Sequence, residues 1–184
     1  MAITTDQIKA LREKTGAGIM DSKRALEQTD GNIDKAIDVL RQQGLARAGK
    51  KSDRTALQGV VDQYIHNQGR IGALIEINCE TDFVARTNDF KNLAHDIAMQ
   101  VAASAPRYVQ ESEISEEDFA ALEGEFGDRK SALEAVVLMN QLFIKDPKKT
   151  VGDLIKENIS LLGENIIIRR FARFELGEGQ ASAE

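Results

Sequence analysis

Three side chains in this sequence are of types that serve as nucleophile or base near neutral pH: Cys79, the single cysteine, and the two histidines, His66 and His95. A hydrolase would need the thiol, an imidazole and an orienting group in contact. Cys79 ends a β-branched run on its apolar side, where a free cysteine behaves as a small hydrophobe. The histidines fall in a turn and on a helix, so no dyad is expected. Phosphate chemistry is no better served, because Gly16-Ala17-Gly18 follows a helical stretch and not a strand, the wrong context for a glycine-rich phosphate loop. Residues 111–128 carry eight acids and no Lys or Arg. Without EF-hand spacing or a ligating His they read as a solvated helical face rather than a cation site. Cysteine-based zinc spacing is missing too. No catalytic residue, cofactor or metal is expected, and the pattern points to a protein that works by binding.

The feature that suits binding is Asn78-Cys79-Glu80-Thr81-Asp82-Phe83-Val84-Ala85-Arg86, which sets an acid beside a large aromatic ring between a strand and an amphipathic helix. An isolated Phe at such a turn either folds back into the core or projects as an apolar wedge, which would give a partner's pocket about 1.5–3 kcal/mol. Composition alone does not choose between the two.

The elements that must position this turn follow from periodicity. Thr4 with Gln7 forms a capping box for a helix carrying Ile8 and Leu11, which Thr15-Gly16-Ala17-Gly18 stops. A second helix carries Ile19, Met20, Lys23 and Leu26 and ends near Thr29-Asp30-Gly31. The third, capped by Asp30 or Asn32, shows Ile33, Ala36, Ile37 and Leu40 at helical spacing and closes at Gly44. The period then changes to two. Gly59 to Ile65 and Ile71 to Cys79 read as an antiparallel hairpin, with Ile71, Ala73, Ile75, Ile77 and Cys79 on one face. Thr87 or Asn88 caps a helix carrying Phe90, Leu93, Ala94, Ile97 and Val101 up to Pro106. Ser115 starts an acidic helix, and Ser131 to Phe143 reads as helix until Pro147 breaks it. Thr150 caps a short helix through Ile159, and Ile166 to Phe174 completes a three-stranded sheet. The fold class is therefore α+β: an N-terminal three-helix module of the size of ubiquitin-associated domains, then a small antiparallel three-stranded sheet packed with helices.

Composition bounds the class. The 184 residues include two Pro, one Cys and no Trp, with 42% hydrophobic and 29% charged residues, too apolar for wholesale disorder and too charged for a membrane protein. No apolar run approaches the roughly 20 residues of a spanning helix. The start, Met1 to Asp6, lacks the basic and apolar regions of a secretory signal, so the chain reads as cytoplasmic and Cys79 as reduced. Net charge is −6, but residues 1–55 hold 11 basic against 8 acidic residues and the remainder 13 against 22, leaving +3 and −9. Such asymmetry suggests two modules. The basic excess at Arg47, Lys50, Lys51 and Arg54 reads as a linker. Direct nucleic-acid binding is not expected, because stacking aromatics are missing nearby.

Two long segments, Leu11 to Lys23 and Asn78 to Ala85, resemble the two signatures of the bacterial elongation factor Ts family. The likeness continues through Asp96 to Ala103, Lys145 to Gly152 and Gly163 to Phe171, in the family's order and over nearly the whole chain. It implies a non-enzymatic guanine-nucleotide exchange factor of protein biosynthesis that engages elongation factor Tu, both GDP-bound and nucleotide-free, and perturbs its magnesium and phosphate site. Thr81, Asp82, Phe83 and Val84 would form the wedge at that site. Arg12, Ile19, Met20 and Lys23 would form a second contact on the N-terminal module. With one strand-and-helix unit where long members have two, the chain resembles the short form, and short forms are expected to pair as homodimers. The segment 107–144 is compact where relatives carry a longer helical hairpin, and Ile19 and Ser22 stand where relatives commonly show Met and Cys. The expected organisation is a docking module at 1–45, a basic linker at 46–55, an α+β core and dimerisation domain at 56–176, and a flexible tail at 177–184. The alternative from the residues alone is a non-catalytic adaptor that binds a protein through the three-helix module, with an RNA-binding module ranking third.

Overall fold

In the computed structural model, which describes residues 3–179 and only the backbone at positions 45 and 47, the first three helices are α1 (Thr5–Thr15), α2 (Ile19–Gln28) and α3 (Ile33–Gly49). The Thr4–Gln7 capping box opens α1, and Gly16 ends it in the left-handed region at φ 66°. A Cβ there would also lie 2.6 Å from Leu161 Cδ1, the end of an exposed side chain that could shift aside, so the left-handed turn is what calls for glycine. Asn32 caps α3 by accepting from the Lys35 amide at 3.0 Å. Leu11, Ala25, Leu26 and Ala36 are buried together as the module's own small core.

The third helix does not close at Gly44 but runs a further turn and a half to Gly49. The reason is tertiary. Gly44 packs against Ser160, where a Cβ would meet Oγ at 3.0 Å, and Ala48 beyond it is buried in the main core. The glycine is thus a close-packing position inside a helix rather than its end. The basic stretch expected at 46–55 is therefore helical at its start; the Arg47 side chain lies outside the described residues, as do residues 180–184 of the expected tail.

The core is built on a sheet of order β1-β2-β5, all antiparallel, formed by β1 (Gln58–His66), β2 (Ile71–Cys79) and β5 (Ile167–Glu175). Gly59 is required at its edge, because a Cβ at its φ of 153° would sit 2.1 Å from the Ile77 carbonyl oxygen. Alternation along β2 buries Ala73, Ile75, Ile77 and Cys79 under α5 (Asn88–Ser104), which Thr87 caps and whose apolar stripe includes Phe90, Leu93, Ile97 and Val101. A single-turn helix, α4 (Asp82–Ala85), lies between β2 and α5, where sequence reading gives only a turn. The last helix of the core, α8 (Val151–Leu162), carries its own capping box at Thr150 and Asp153 and packs on α3.

Between α5 and α8 lie α6 (Glu116–Phe126) and α7 (Arg129–Val136), with a second small core around Phe119, Leu122 and Val136. The helix expected over 131–143 stops at Val136. Its continuation is drawn into other pairings: the Leu138 and Met139 amides donate to the Tyr108 and Val109 carbonyls. A ribbon follows, β3 (Leu142–Phe143) with β4 (Asp146–Thr150), and Pro147 sits in this short edge pair instead of ending a helix. Buried Gln100 anchors the ribbon, accepting from the Ile144 amide at 2.9 Å and donating to the Leu142 carbonyl at 3.2 Å.

Candidate functional site

At the end of β2 the chain turns sharply and exposes its most prominent aromatic. Phe83 is 78% exposed, although Thr81 before it and Val84 after it are half-buried, with Val84 packed on the main core. The turn is α4 itself. Thr81 is its N-cap, accepting from the Val84 amide at 3.4 Å, and the Arg86 amide donates back to the Asp82 carbonyl. Asp82 is half-exposed and its carboxylate lies 2.9 Å from the Arg86 guanidinium, one helical turn on. Such solvent-facing pairs contribute little to stability, so the carboxylate is available to exchange partners at small cost.

What fixes the turn comes from the other end of the chain. The Glu164 carboxylate accepts from the Glu80 amide at 3.1 Å, the Thr81 amide at 3.0 Å and the Thr81 hydroxyl at 2.5 Å. In return the Glu80 carboxylate accepts from the Asn165 amide at 2.7 Å. Asn165 is buried, and its side-chain amide donates to the Ser52 and Arg54 carbonyls at 3.1 and 2.7 Å. Lys51 donates to the Gly163 carbonyl at 2.6 Å. The segment 163–165 thereby joins the turn after β2 to the strap that leaves the three-helix module.

Beneath the turn, the buried Cys79 thiol donates to the Thr81 carbonyl at 3.1 Å. Burial first, and then the negative charge of Glu164, push its pKa up to about 11, so it stays protonated and is a poor nucleophile. His66 pairs with Ile71 at the opposite end of the hairpin from Cys79, roughly 27 Å away along the strand. His95 packs edge-on against Tyr64. The thiol and His66 are not brought together. Among the described residues, no group of three or more His, Cys, Asp or Glu is placed to hold a metal ion, and no helix is long and apolar enough to cross a membrane.

The second group of candidates lies on the module. Ile19 and Met20 are 57% and 64% exposed at the start of α2, where the N-cap Gly18 offers no side-chain cap. Arg12 is exposed and folds its Nε toward the Ala17 carbonyl at 3.2 Å. Lys23, one turn along from Ile19, is exposed and loosely paired with Glu27 at 3.7 Å. Thr81, Asp82, Phe83 and Val84 thus share one turn, whereas Ile19, Met20 and Lys23 share the first half of α2 and Arg12 lies apart from them on α1. Sequence reasoning does not single out Glu80, Arg86, Glu164 or Asn165. Arg86 stands four residues after Asp82, a spacing that signals a pair only once the turn is known to be helical; Glu164 and Asn165 fall in the family-like segment 163–171, but no local pattern marks them, because their partners lie more than 80 residues away.

The sequence model of the elongation factor Ts family matches residues 8–126 and 122–178. The chain is 53% identical to an elongation factor Ts of Syntrophomonas wolfei, over 96% of this chain and 92% of that one. It is 51% identical to one of Carboxydothermus hydrogenoformans over 99% and 93%, and 47% identical to one of Desulfitobacterium hafniense over 96% and 90%.

Proposed function

Since the chain belongs to the elongation factor Ts family of translation elongation, we propose that it promotes GDP release from elongation factor Tu in the cytoplasm, by binding and without chemistry. The observation that carries this reading is the exposed Phe83 on a turn anchored on both sides. An exchange factor must bind the GTPase more tightly when the nucleotide is absent, and by linkage the nucleotide weakens factor binding in the same ratio. The Phe83 ring enters the GTPase domain near its magnesium and phosphate site, and Asp82 leaves Arg86 to compete for hydrogen bonds or positive charge there. Loss of the cation leaves the diphosphate oxygens uncompensated and speeds their departure. Arg12, Ile19, Met20 and Lys23 supply a second contact, which keeps the factor attached as the wedge acts.

The same reading makes the protein a homodimer. Directly paired residues of an antiparallel sheet share a face. By register, the face of the sheet away from α5 carries Val61, Ile65, Leu74 and Phe174, all exposed. A second copy would cover it. Sedimentation at tens of micromolar is expected to give twice the 20.3 kDa chain mass, and a stable, active monomer would contradict the pairing.

The deciding experiment loads elongation factor Tu with fluorescent GDP and follows its release with and without this protein. Acceleration at micromolar factor supports exchange; no acceleration overturns it and returns the adaptor reading to first place.

A further inference from the structure

Glu164 is not itself among the residues assigned to the partner surface, yet it makes three of the hydrogen bonds that hold the turn carrying Asp82 and Phe83, two of them to Thr81 at its start. We infer that Glu164 is the positioning residue of the wedge, fixing its angle to the sheet so that Phe83 reaches the nucleotide site of the GTPase; the inference rests on the exchange reading above. A carboxylate suits the task because the three groups bonded to it are all donors. Oε2 accepts the Glu80 and Thr81 amides, and Oε1 accepts the Thr81 hydroxyl. The hydroxyl relays the restraint, since its oxygen in turn accepts from the Val84 amide on the far side of Phe83. The carboxylate itself is held by its place in the chain: Gly163 before it is tied to Lys51, and Asn165 after it to Ser52, Arg54 and Glu80. A chain of bonds thus runs from the strap behind the three-helix module, through 163–165, to the amide next to the exposed ring. A single helical turn is unstable alone; the main core holds its end through Val84 and Ala85, and the Glu164 bonds hold its start.

Glu164→Gln retains the size and one acceptor oxygen but puts an NH2 donor where the second oxygen met a donor, so part of the clamp must open. With fluorescent GDP on elongation factor Tu, the positioning role predicts a maximal release rate about tenfold lower and a half-saturating factor concentration within about twofold of wild type. In a Phe83→Ala background, Glu164→Gln is expected to have almost no further effect, because a misplaced wedge and an absent one are equivalent. Amide hydrogen exchange on the free protein should quicken at residues 80–86 and stay unchanged in β2 and α5. If Glu164→Gln releases GDP at the wild-type maximal rate, or shifts only the half-saturating concentration, the inference is overturned. Where that variant unfolds, Thr81→Val and Thr81→Ser decide: Ser keeps the hydroxyl and should approach wild type, Val should not, and equal maximal rates for the two would overturn it. Failure of the wild-type protein to accelerate release would instead overturn the exchange reading, with hydrogen exchange at 80–86 still judging whether Glu164 orders the turn.

Discussion

The turn at 80–86 and the start of α2 both offer apolar side chains to solvent, and they are held in different ways. The turn at 80–86 presents one ring from a lattice of bonds that converge from β2, the strap at 51–54 and the segment before β5. The start of α2 presents Ile19 and Met20 from a module whose own core has, among the described residues, four fully buried apolar side chains with a ring of partly buried ones around them and which meets the rest of the protein through α3 and α8. A group that must reach a defined point inside a partner loses its effect when misplaced by an ångström. One that merely adds buried area tolerates slack, and its contribution appears as affinity. The contrast in anchoring therefore fits the division of labour proposed above, with the wedge acting on the rate of nucleotide release and the module on the strength of attachment.

Removing the ring gives the largest expected effect. Phe83→Ala deletes an exposed side chain that contributes little to its own core, so its melting temperature should stay within about 2 °C of wild type. If the ring's burial in the partner is worth about 1.5–3 kcal/mol, maximal GDP release should slow by about 10- to 150-fold. A melting temperature lower by many degrees would show that the ring serves the fold, and the contrast between the regions would collapse.

The double change Ile19→Ala and Met20→Ala tests the other half. It should raise the half-saturating factor concentration by about 5- to 20-fold, as expected for two truncated interface side chains, and leave the maximal release rate within about twofold. Loss of maximal rate without loss of affinity would reverse the assignment. Deleting the whole module is a poorer test, because α3 carries Ala48 into the main core and Lys51 and Ser52 bond to the 163–165 segment.

The two regions also differ in how much of them the sequence discloses. The module's helices start and stop on bonds between residues three or four apart: Thr4 with Gln7, Asn32 with Lys35, Gly16 with Arg12. Local chemistry of that kind is readable without a structure. The hairpin and the helix after it are equally plain, because β2 alternates and α5 keeps a helical stripe. Gly44 misled because a glycine that stops a helix and one that lets a neighbouring helix approach look alike until Ser160 is known to face it. The stretch after Val136 misled because its amides bond to Tyr108 and Val109 and its glutamine is buried, neither of which leaves a periodic trace. For the same reason the exposed parts of the wedge, Asp82 and Phe83, are legible as a motif, whereas Glu164 and Asn165 become visible only when the fold brings 80–81 and 164–165 together.

The smallest expected effect concerns the module's looseness, and it bears on whether that looseness matters. Ser22 is completely buried in α2 and its hydroxyl has no hydrogen-bond partner among the described residues. A buried hydroxyl without a partner forfeits about 1–3 kcal/mol of solvation, and Ala is also the better helix former by about 0.5 kcal/mol. The cavity left by one oxygen offsets part of this gain. Ser22→Ala should therefore stabilise the module by about 1 kcal/mol, seen as slower amide hydrogen exchange in α1 and α2. The side chain is out of reach of any partner, so binding and release should be unchanged if the module acts only as an anchor. Lower stability would mean that the hydroxyl is better accommodated than its geometry indicates. A more stable module with slower release would carry more weight, because it would make the module's yielding part of the exchange step and remove the contrast between a rigid wedge and a passive anchor.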